Sequence, residues 1–286
     1  MGHVRRINFA VLLKDIFRYR EAEALHLRIK EKIERIGGLN HEKGKNLSSL
    51  AQLYLAQRRS SDAEKLQEQA ISLILEEERH RNYGYLAQVH MRAGDLEKAK
   101  ESLDQADFLI KQSSGKDRAN PFYDWIRAEY LYRCQITLKV SLKAYLREFA
   151  PILSRYPKIT WYVPGLIHKF AGLSLIDAGD EAGGLEKLDG VARFFDAWRD
   201  HPVLGLLGAT VRIERGLHLL QKGELERVVD DLKGIREFLG LQRDIKSYFQ
   251  MEIESISGYL KSWEQGEIEA EKVSETLISL QGRIPY

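Results

Sequence analysis

Small and bulky residues recur in one fixed order along most of the chain. In the clearest copy, Ala87 is followed after 3, 7, 12, 16 and 19 positions by His90, Gly94, Ala99, Leu103 and Ala106. Further copies of this repeat frame start at Ala10, Ala51, Gly172 and Gly216. We number its positions from the first small residue, so that Gly94 is position +7. Self-similarity at a fixed period is typical of stacked supersecondary units, so the frame predicts a solenoid.

Each copy of the frame contains a break that separates two helices. Gly94 can take a left-handed conformation at the end of the first helix, and Asp95 can cap the second helix. The same turn of a glycine and an acidic residue stands at Gly179-Asp180, Gly223-Glu224 and Gly266-Glu267. We therefore predict antiparallel helix pairs with breaks at these glycines. We expect no sheet, because alternating strand patterns are absent. The alternative is a helical bundle without repeats, which the recurrence of one frame disfavours.

Two copies of the frame resemble the tetratricopeptide repeat (TPR). They are Leu86-Ala87…Gly94-Asp95…Ala99…Leu103…Ala106 and Leu50-Ala51…Tyr54…Asp62-Ala63-Glu64…Ala70, and residues 19–25 resemble the opening of the second helix of that motif. The spacing differs from the family's usual 34 residues. It is 36 residues from Ala51 to Ala87 and 41 to 44 elsewhere. This longer period resembles the kinesin-light-chain-like branch. The resemblance implies a right-handed α–α superhelix whose concave groove binds peptides or helices of partner proteins.

The length of the chain predicts a single all-α solenoid of about seven helix pairs, since units of about 41 residues account for all 286. The frame is clear over residues 3–113, degenerate over 115–160 and moderate over 165–240. Residues 245–286 are expected to form a capping pair. Within the degenerate stretch, the copy that starts at Ala128 fits poorly, because Arg147 stands where a small residue is expected. In the capping pair, Gly258 is expected to be the last small frame residue. Helix boundaries are expected at Pro121, Pro151, Pro157, Pro164 and Pro202.

Charge, cysteine content and apolar stretches limit the classes of ligand and the compartment that we expect. The formal net charge is only +2, which gives no reason to expect nucleic acid as a ligand. A single cysteine, Cys134, cannot form an internal disulfide and suits a reducing compartment. Lys14-Asp15 interrupts the apolar start before it reaches the length of a signal peptide, and no apolar stretch is long enough to cross a membrane. We therefore expect a cytoplasmic protein that binds no membrane.

Residues with catalytic chemistry do not converge in the sequence. The eight histidines show no zinc-protease spacing, and Cys134 has no cysteine partner for a metal site. Gly183-Gly184 lacks the lysine of a phosphate-binding loop, and the run Glu76-Glu77-Glu78 suits a solvated helix end. His90 takes a frame position that holds tyrosine in the preceding pair, which favours a packing role. We expect no enzymatic activity, no cofactor and no metal.

One face of the first helix in each pair is the candidate binding surface. Helical spacing brings positions −6, −3, +1, +4 and +5 to one side of that helix. Amides there can bond a peptide backbone, arginines can bind carboxylates, and aromatic side chains can serve as anchors. The predicted partner-binding residues are Lys45, Gln52, Arg81, Gln88, Met91, Arg92, Trp125, Glu129, Tyr132 and Arg133. The alternative, equally open, is that these are ordinary solvated side chains and that Trp125 and Tyr132 belong to the core.

These patterns favour a non-enzymatic adaptor or scaffold whose groove binds a protein or peptide segment, acidic and with an apolar anchor. The alternative is a regulatory, peptide-sensing repeat region that controls an effector domain or subunit. The carboxylate clamp of the chaperone-binding TPR proteins is not expected, because Ile7 and Val11 stand at the matching places of the first unit.

The first helix is apolar on most of its circumference, although a terminal repeat needs one polar face. We expect it to be covered by a second copy, another subunit or a preceding segment. Its apolar residues are Ile7, Phe9, Ala10, Val11, Leu12, Leu13, Ile16 and Phe17.

Overall fold

The computed structural model describes residues 2–114, 120–139, 141–267 and 269–284. These residues form fifteen helices and contain no strand, so the predicted all-α class is confirmed. None of the helices described is both long and apolar enough to cross a membrane. The helices are α1 (Gly2–Asp15), α2 (Tyr19–Ile36), α3 (Asn40–Ala56), α4 (Ser60–Leu73), α5 (Glu76–Ala93), α6 (Leu96–Ser114), α7 (Pro121–Leu138), α8 (Leu142–Arg155), α9 (Tyr162–Asp177), α10 (Glu181–Asp196), α11 (Pro202–Gln221), α12 (Leu225–Leu241), α13 (Arg243–Tyr248), α14 (Gln250–Glu264) and α15 (Ala270–Arg283).

The chain divides into two compact units, Met1–Asp180 with α1 to α9 and Glu181–Tyr286 with α10 to α15. In the N-terminal unit, consecutive helices pack in pairs, from α1 with α2 to α7 with α8. The first helices α1, α3, α5, α7 and α9 also contact one another in that order. Each second helix contacts the first helix of the next pair. The first helices therefore lie side by side in one layer, while the single right-handed solenoid stays a prediction.

The turn inside each helix pair repeats with the frame. Position +7 has a positive φ in all five copies, at Phe17, Arg58, Gly94, Gly179 and Gly223. In each of them the N–H of the next residue donates to the carbonyl of position +3, as Asp95 does to His90 at 2.9 Å. This bond ends a helix in the Schellman manner. The Asp95 carboxylate accepts from the Lys98 N–H at 2.9 Å, so the predicted cap is confirmed. The predicted breaks at Gly94, Gly179, Gly223 and Gly266 are confirmed as well.

The small frame residues pack where helices approach closely. Ala51, Ala63 and Val89 form one buried cluster that joins two successive pairs. The equivalent alanines of the first and third pairs, Ala10 and Ala87, are also fully buried. Small side chains at these positions let neighbouring helices come together without leaving a void.

The fourth pair keeps the architecture but shifts the frame. Ala128 is fully buried as expected, but α7 continues past position +7 and its turn comes at Lys139, which has a φ of 51°. The buried residues of α8 are therefore Tyr145, Phe149 and Ile152, which keep the frame's spacing five residues later. Arg147 is exposed, and larger side chains replace the expected small ones.

Pro151 lies inside α8, so the predicted helix boundary there is wrong. Its side chain is exposed, and water can satisfy the carbonyl that loses its N–H partner on that side of the helix. Pro121 and Pro202, by contrast, begin α7 and α11 as expected.

The frame ends before Gly258, which corrects the last expected registration. Gly258 is exposed on α14, and an added Cβ there would meet nothing within 4 Å. The reason is that α15 packs on α11 in place of α14, whereas in the N-terminal unit each first helix packs on the next first helix. Leu277 of α15 comes within 3.2 Å of the Cβ position of Gly216. The last pair thus does not repeat the arrangement of the earlier ones.

Buried ion pairs hold three helices of the C-terminal unit together. Asp231 of α12 is fully buried and accepts from Arg212 Nη1 at 3.2 Å and from Arg215 Nε at 3.0 Å. Both arginines lie on α11 and also pair with α10, Arg212 with Asp196 and Arg215 with Asp189. These arginines have structural partners within the fold.

Candidate functional site

The candidate surface lies on α5, α7 and α9, which are neighbours in the first-helix layer of the N-terminal unit. α5 carries Arg81, Gln88 and Arg92 on its exposed side, and α7 carries Glu129 and Arg133 opposite them. Frame positions +1 and +5 supply Gln88 and Arg92 on α5 and Glu129 and Arg133 on α7, which is why these four side chains meet, and Arg81 occupies position −6. We call this surface the α5–α7–α9 face.

Glu129 is the centre of the α5–α7–α9 face. It is only 4% exposed, and its Oε1 accepts from Arg133 Nε at 3.0 Å and Nη2 at 2.9 Å. Arg92 Nη2 approaches the same oxygen at 3.9 Å. Gln88 Nε2 lies 3.5 Å from Oε2. One carboxylate therefore gathers side chains from two helices.

The charge balance at this centre is positive. Burial by itself raises the pKa of Glu129, but the charges of Arg92 and Arg133, the Arg133 hydrogen bond and the charge of Lys169 outweigh it and lower the pKa. Glu129 is therefore ionised at neutral pH. Two arginines, Arg92 and Arg133, border this one carboxylate, so together they carry one more charge than Glu129 can neutralise.

Aromatic side chains flank this charged centre. The rings of Tyr85 and Phe122 meet edge to face with centroids 5.0 Å apart, and Phe122 and Trp125 are 5.7 Å apart. Tyr132 lies 5.8 Å from Phe170 of α9. Gly84 makes room for this group, because a Cβ there would stand 3.0 Å from the Phe122 ring. The face thus combines apolar rings with excess positive charge.

The structure brings most of the predicted residues to one face but gives several of them partners inside the protein. Lys45 pairs with Glu78 at 3.1 Å, and Gln52 is partly buried on α3. Trp125 and Tyr132 are partly buried, so they are neither fully exposed surface residues nor fully buried core residues. Arg81 and Arg92 are the exposed members of the predicted set.

Met91 was wrongly placed on the binding surface by the helical spacing. It is only 2% exposed and belongs to a core cluster with Ala87, Leu103 and Ile126. Position +4 turns toward the buried frame residue rather than toward solvent. Met91 is therefore unavailable as an anchor for a ligand.

Tyr85 was missed by sequence reasoning, although it contacts Phe122 at the centre of the aromatic group. It lies four residues after Arg81, and this spacing places the two side chains on the same face. Burial raises the pKa of Tyr85, and Tyr162 of α9 raises it further while Arg81 opposes the shift. Tyr162 and its neighbour Trp161 are both exposed.

Groups that could hold a metal ion are not found among the residues that the structure describes. No model of a known protein family matches the chain, and no curated protein matches it in sequence. The TPR resemblance therefore rests on the repeat frame.

Proposed function

We propose that this chain is a non-enzymatic, TPR-like adaptor or scaffold of the cytoplasm that binds an acidic segment of a partner protein on the α5–α7–α9 face. The observation that carries the proposal is the excess of positive charge around the buried Glu129, with the partly buried rings of Trp125 and Phe122 one and two helical turns earlier on α7.

The positive charge of the α5–α7–α9 face favours an acidic ligand. Arg133 uses two donors on Glu129, whereas Arg92 is no closer than 3.9 Å and its side chain is 36% exposed. The planar guanidinium of Arg92 can thus take a ligand carboxylate in a bidentate geometry. Arg81 lies about three helical turns earlier on the same side of α5 and can meet a second acidic residue of an extended segment.

The aromatic group supplies the apolar part of the interface. Tyr85, Phe122 and Trp125 form a continuous edge-to-face series beside the cations. Aromatic side chains and arginine are the residue types that usually dominate interface energies. An apolar side chain of the ligand, flanked by acidic residues, therefore fits this face.

A random peptide library displayed on phage tests the proposal without knowledge of the natural partner. The immobilised parent protein is expected to enrich peptides with Asp or Glu around an apolar or aromatic residue. Arg92→Glu is expected to lose this enrichment and to weaken binding of a synthesised consensus peptide at least about tenfold, equivalent to about 1.4 kcal/mol.

Lys65→Glu is the matched control. Lys65 is exposed on α4, in the second-helix layer, and the substitution changes the net charge of the chain by the same amount. It is expected to enrich the same peptides as the parent. A parent that enriches no acidic consensus, or an Arg92→Glu variant that binds the peptide as the parent does, would show that recognition happens elsewhere.

A further inference from the structure

An exposed apolar ridge on α1 occupies positions that later helix pairs bury. Positions −1 and +2 of the frame are Leu50 and Leu53 in α3, and both are buried in a cluster with Leu13 and Ala22 of the preceding pair. The same positions in α5, Leu86 and Val89, are also buried. In the frame, these positions receive the preceding helix pair.

The equivalent side chains of α1 face solvent. Phe9 at position −1 is 54% exposed and Leu12 at position +2 is 48% exposed. We call Phe9 and Leu12 the α1 ridge. Arg5 is exposed beside it, at the position that Asn46 and Asn82 hold in later pairs.

A second apolar surface lies in the C-terminal unit, between α11 and α15. It is a groove of about 370 Å³ lined by Leu217, Leu220, Gln221, Ala270, Ser274 and Ile278. Ile278 is 56% exposed within it. Glu271 and Glu275 follow the same edge of α15 and are exposed, so the groove has an acidic rim. We call it the α11–α15 groove.

We propose that the chain associates head to tail with a second copy of itself, with the α1 ridge of one copy seated in the α11–α15 groove of the other. The two surfaces match in shape, because a helix ridge fits the groove between two helices. They also match in charge, because Arg5 borders the ridge and Glu271 and Glu275 border the groove. Burial of Phe9 and Ile278 supplies the apolar contact.

This mode of association has two physical consequences. Because the contact joins two different surfaces, a dimer still has one unoccupied ridge and one unoccupied groove. Longer chains or rings therefore form as the concentration rises. The surfaces are also small and charged at their borders, so the association is weak and is weakened further by salt.

Sedimentation velocity over a range of concentrations tests the proposal on the intact chain. The parent is expected to form dimers and larger species that decrease in high salt. Phe9→Glu breaks the ridge and Ile278→Lys breaks the groove, and each variant alone is expected to be monomeric. Met251→Lys, at another exposed apolar residue, is expected to associate as the parent does. Circular dichroism verifies that all variants keep their helical content.

Mixing the two broken variants gives the decisive measurement. The intact ridge of Ile278→Lys and the intact groove of Phe9→Glu are expected to form a dimer that does not grow further. A parent that stays monomeric at all concentrations overturns the proposal. So does an Ile278→Lys variant that still dimerises, because symmetric pairing of two α1 helices would then be the interface. A mixture that stays monomeric overturns it too.

Discussion

Asn46 and Asn82 make the same buried contact in two successive helix pairs. Asn46 Oδ1 lies 2.8 Å from His26 Nδ1, and Asn82 Oδ1 accepts from Gln67 Nε2 at 2.9 Å. His26 and Gln67 both occupy frame position +16 on the second helix of the preceding pair. One polar bond thus joins each of these pairs to the next within an apolar interface. The repeat extends to hydrogen bonding as well as to packing.

We expect His26 to make the stability of the protein depend on pH. Burial lowers its pKa below the ordinary value of 6.5, although the bond to Asn46 opposes the shift. The unfolded chain therefore binds a proton at a higher pH than the folded protein does. Stability is complete above about pH 6.5 and decreases as the pH falls toward the lowered pKa. His26→Gln is expected to reduce this loss, as measured by urea unfolding at pH 7.5 and pH 5.5.

The repeat supplies a reciprocal variant. Glutamine already makes this bond at position 67, so His26→Gln is expected to keep most of the parent's stability at pH 7.5. Gln67→His places a titratable ring at the equivalent buried site and is expected to add a loss of stability of the same sign at low pH. If His26→Gln shows the parent's full pH dependence, another group is responsible for it.

We expect substitutions at position +7 to have opposite effects in two pairs. Arg58 has a φ of 62°, a left-handed conformation that costs a side chain about 1 kcal/mol. Arg58→Gly is expected to raise the free energy of unfolding by up to about 1 kcal/mol, and Gly94→Ala to lower it by about as much. Chemical denaturation measures both changes. Equal effects of the two substitutions would contradict a shared turn geometry.

The turns could be predicted from sequence only where glycine marks them. Gly94 and Gly179 signal a left-handed residue, but Phe17 and Arg58 adopt the same conformation without any cue in their residue type. Their positions in the frame are the only signal. At Lys139 the turn comes later than the frame places it, because α7 is extended at its end.

The candidate face could be predicted in part, because each helical residue turns by about 100°. Gln88 and Arg92 lie about 100° and 140° from Ala87 and reach solvent. Met91 lies only about 40° from Ala87 and is buried with it. The same rule places Tyr85 about 160° from Ala87, on the binding side. Partial burial of Trp125 and Tyr132, at about 60° and 40° from Ala128, follows from the same geometry.

The position at which the repeat ends could not be predicted from the sequence. Gly258 stands at the spacing of a small frame residue, but a glycine is buried only if another helix packs against it. The burial of Gly258 therefore depends on which helix of the last pair contacts α11. The apolar face of α15 makes this contact, and α14, which carries Gly258, does not.

We expect two glycines of the C-terminal unit to respond oppositely to alanine. At Gly205 an added Cβ would lie 2.1 Å from the Phe238 ring and 2.6 Å from the Arg199 carbonyl, so Gly205→Ala is expected to cost about 1–3 kcal/mol. Gly258 has open space around it within α14, so Gly258→Ala is expected to stabilise by about 0.5–1 kcal/mol. Thermal unfolding measures both. Destabilisation by Gly258→Ala would mean that the frame extends to the last pair.

Arg92 and Arg133 are expected to differ although both border Glu129. Arg133→Ala removes two hydrogen bonds from a buried carboxylate and is expected to cost about 1.5–3 kcal/mol of stability. Arg92→Ala removes only an ion pair of 3.9 Å from a partly exposed side chain, so the expected cost is below about 1 kcal/mol. Urea unfolding of both variants separates the arginine that holds the face together from the one that can bind a ligand.

Binding of the acidic consensus peptide completes this comparison. Arg92→Ala is expected to weaken binding of the peptide by about tenfold with little change in protein stability, because the Arg92 guanidinium is the one available to a ligand carboxylate. Arg133→Lys keeps a positive charge beside Glu129 but loses the two-donor geometry, so it separates charge from positioning. It is expected to lower stability more than affinity. Equal stability losses in Arg92→Ala and Arg133→Ala would show that both arginines hold Glu129, and the ligand carboxylate would then have to bind another cation, such as Arg81.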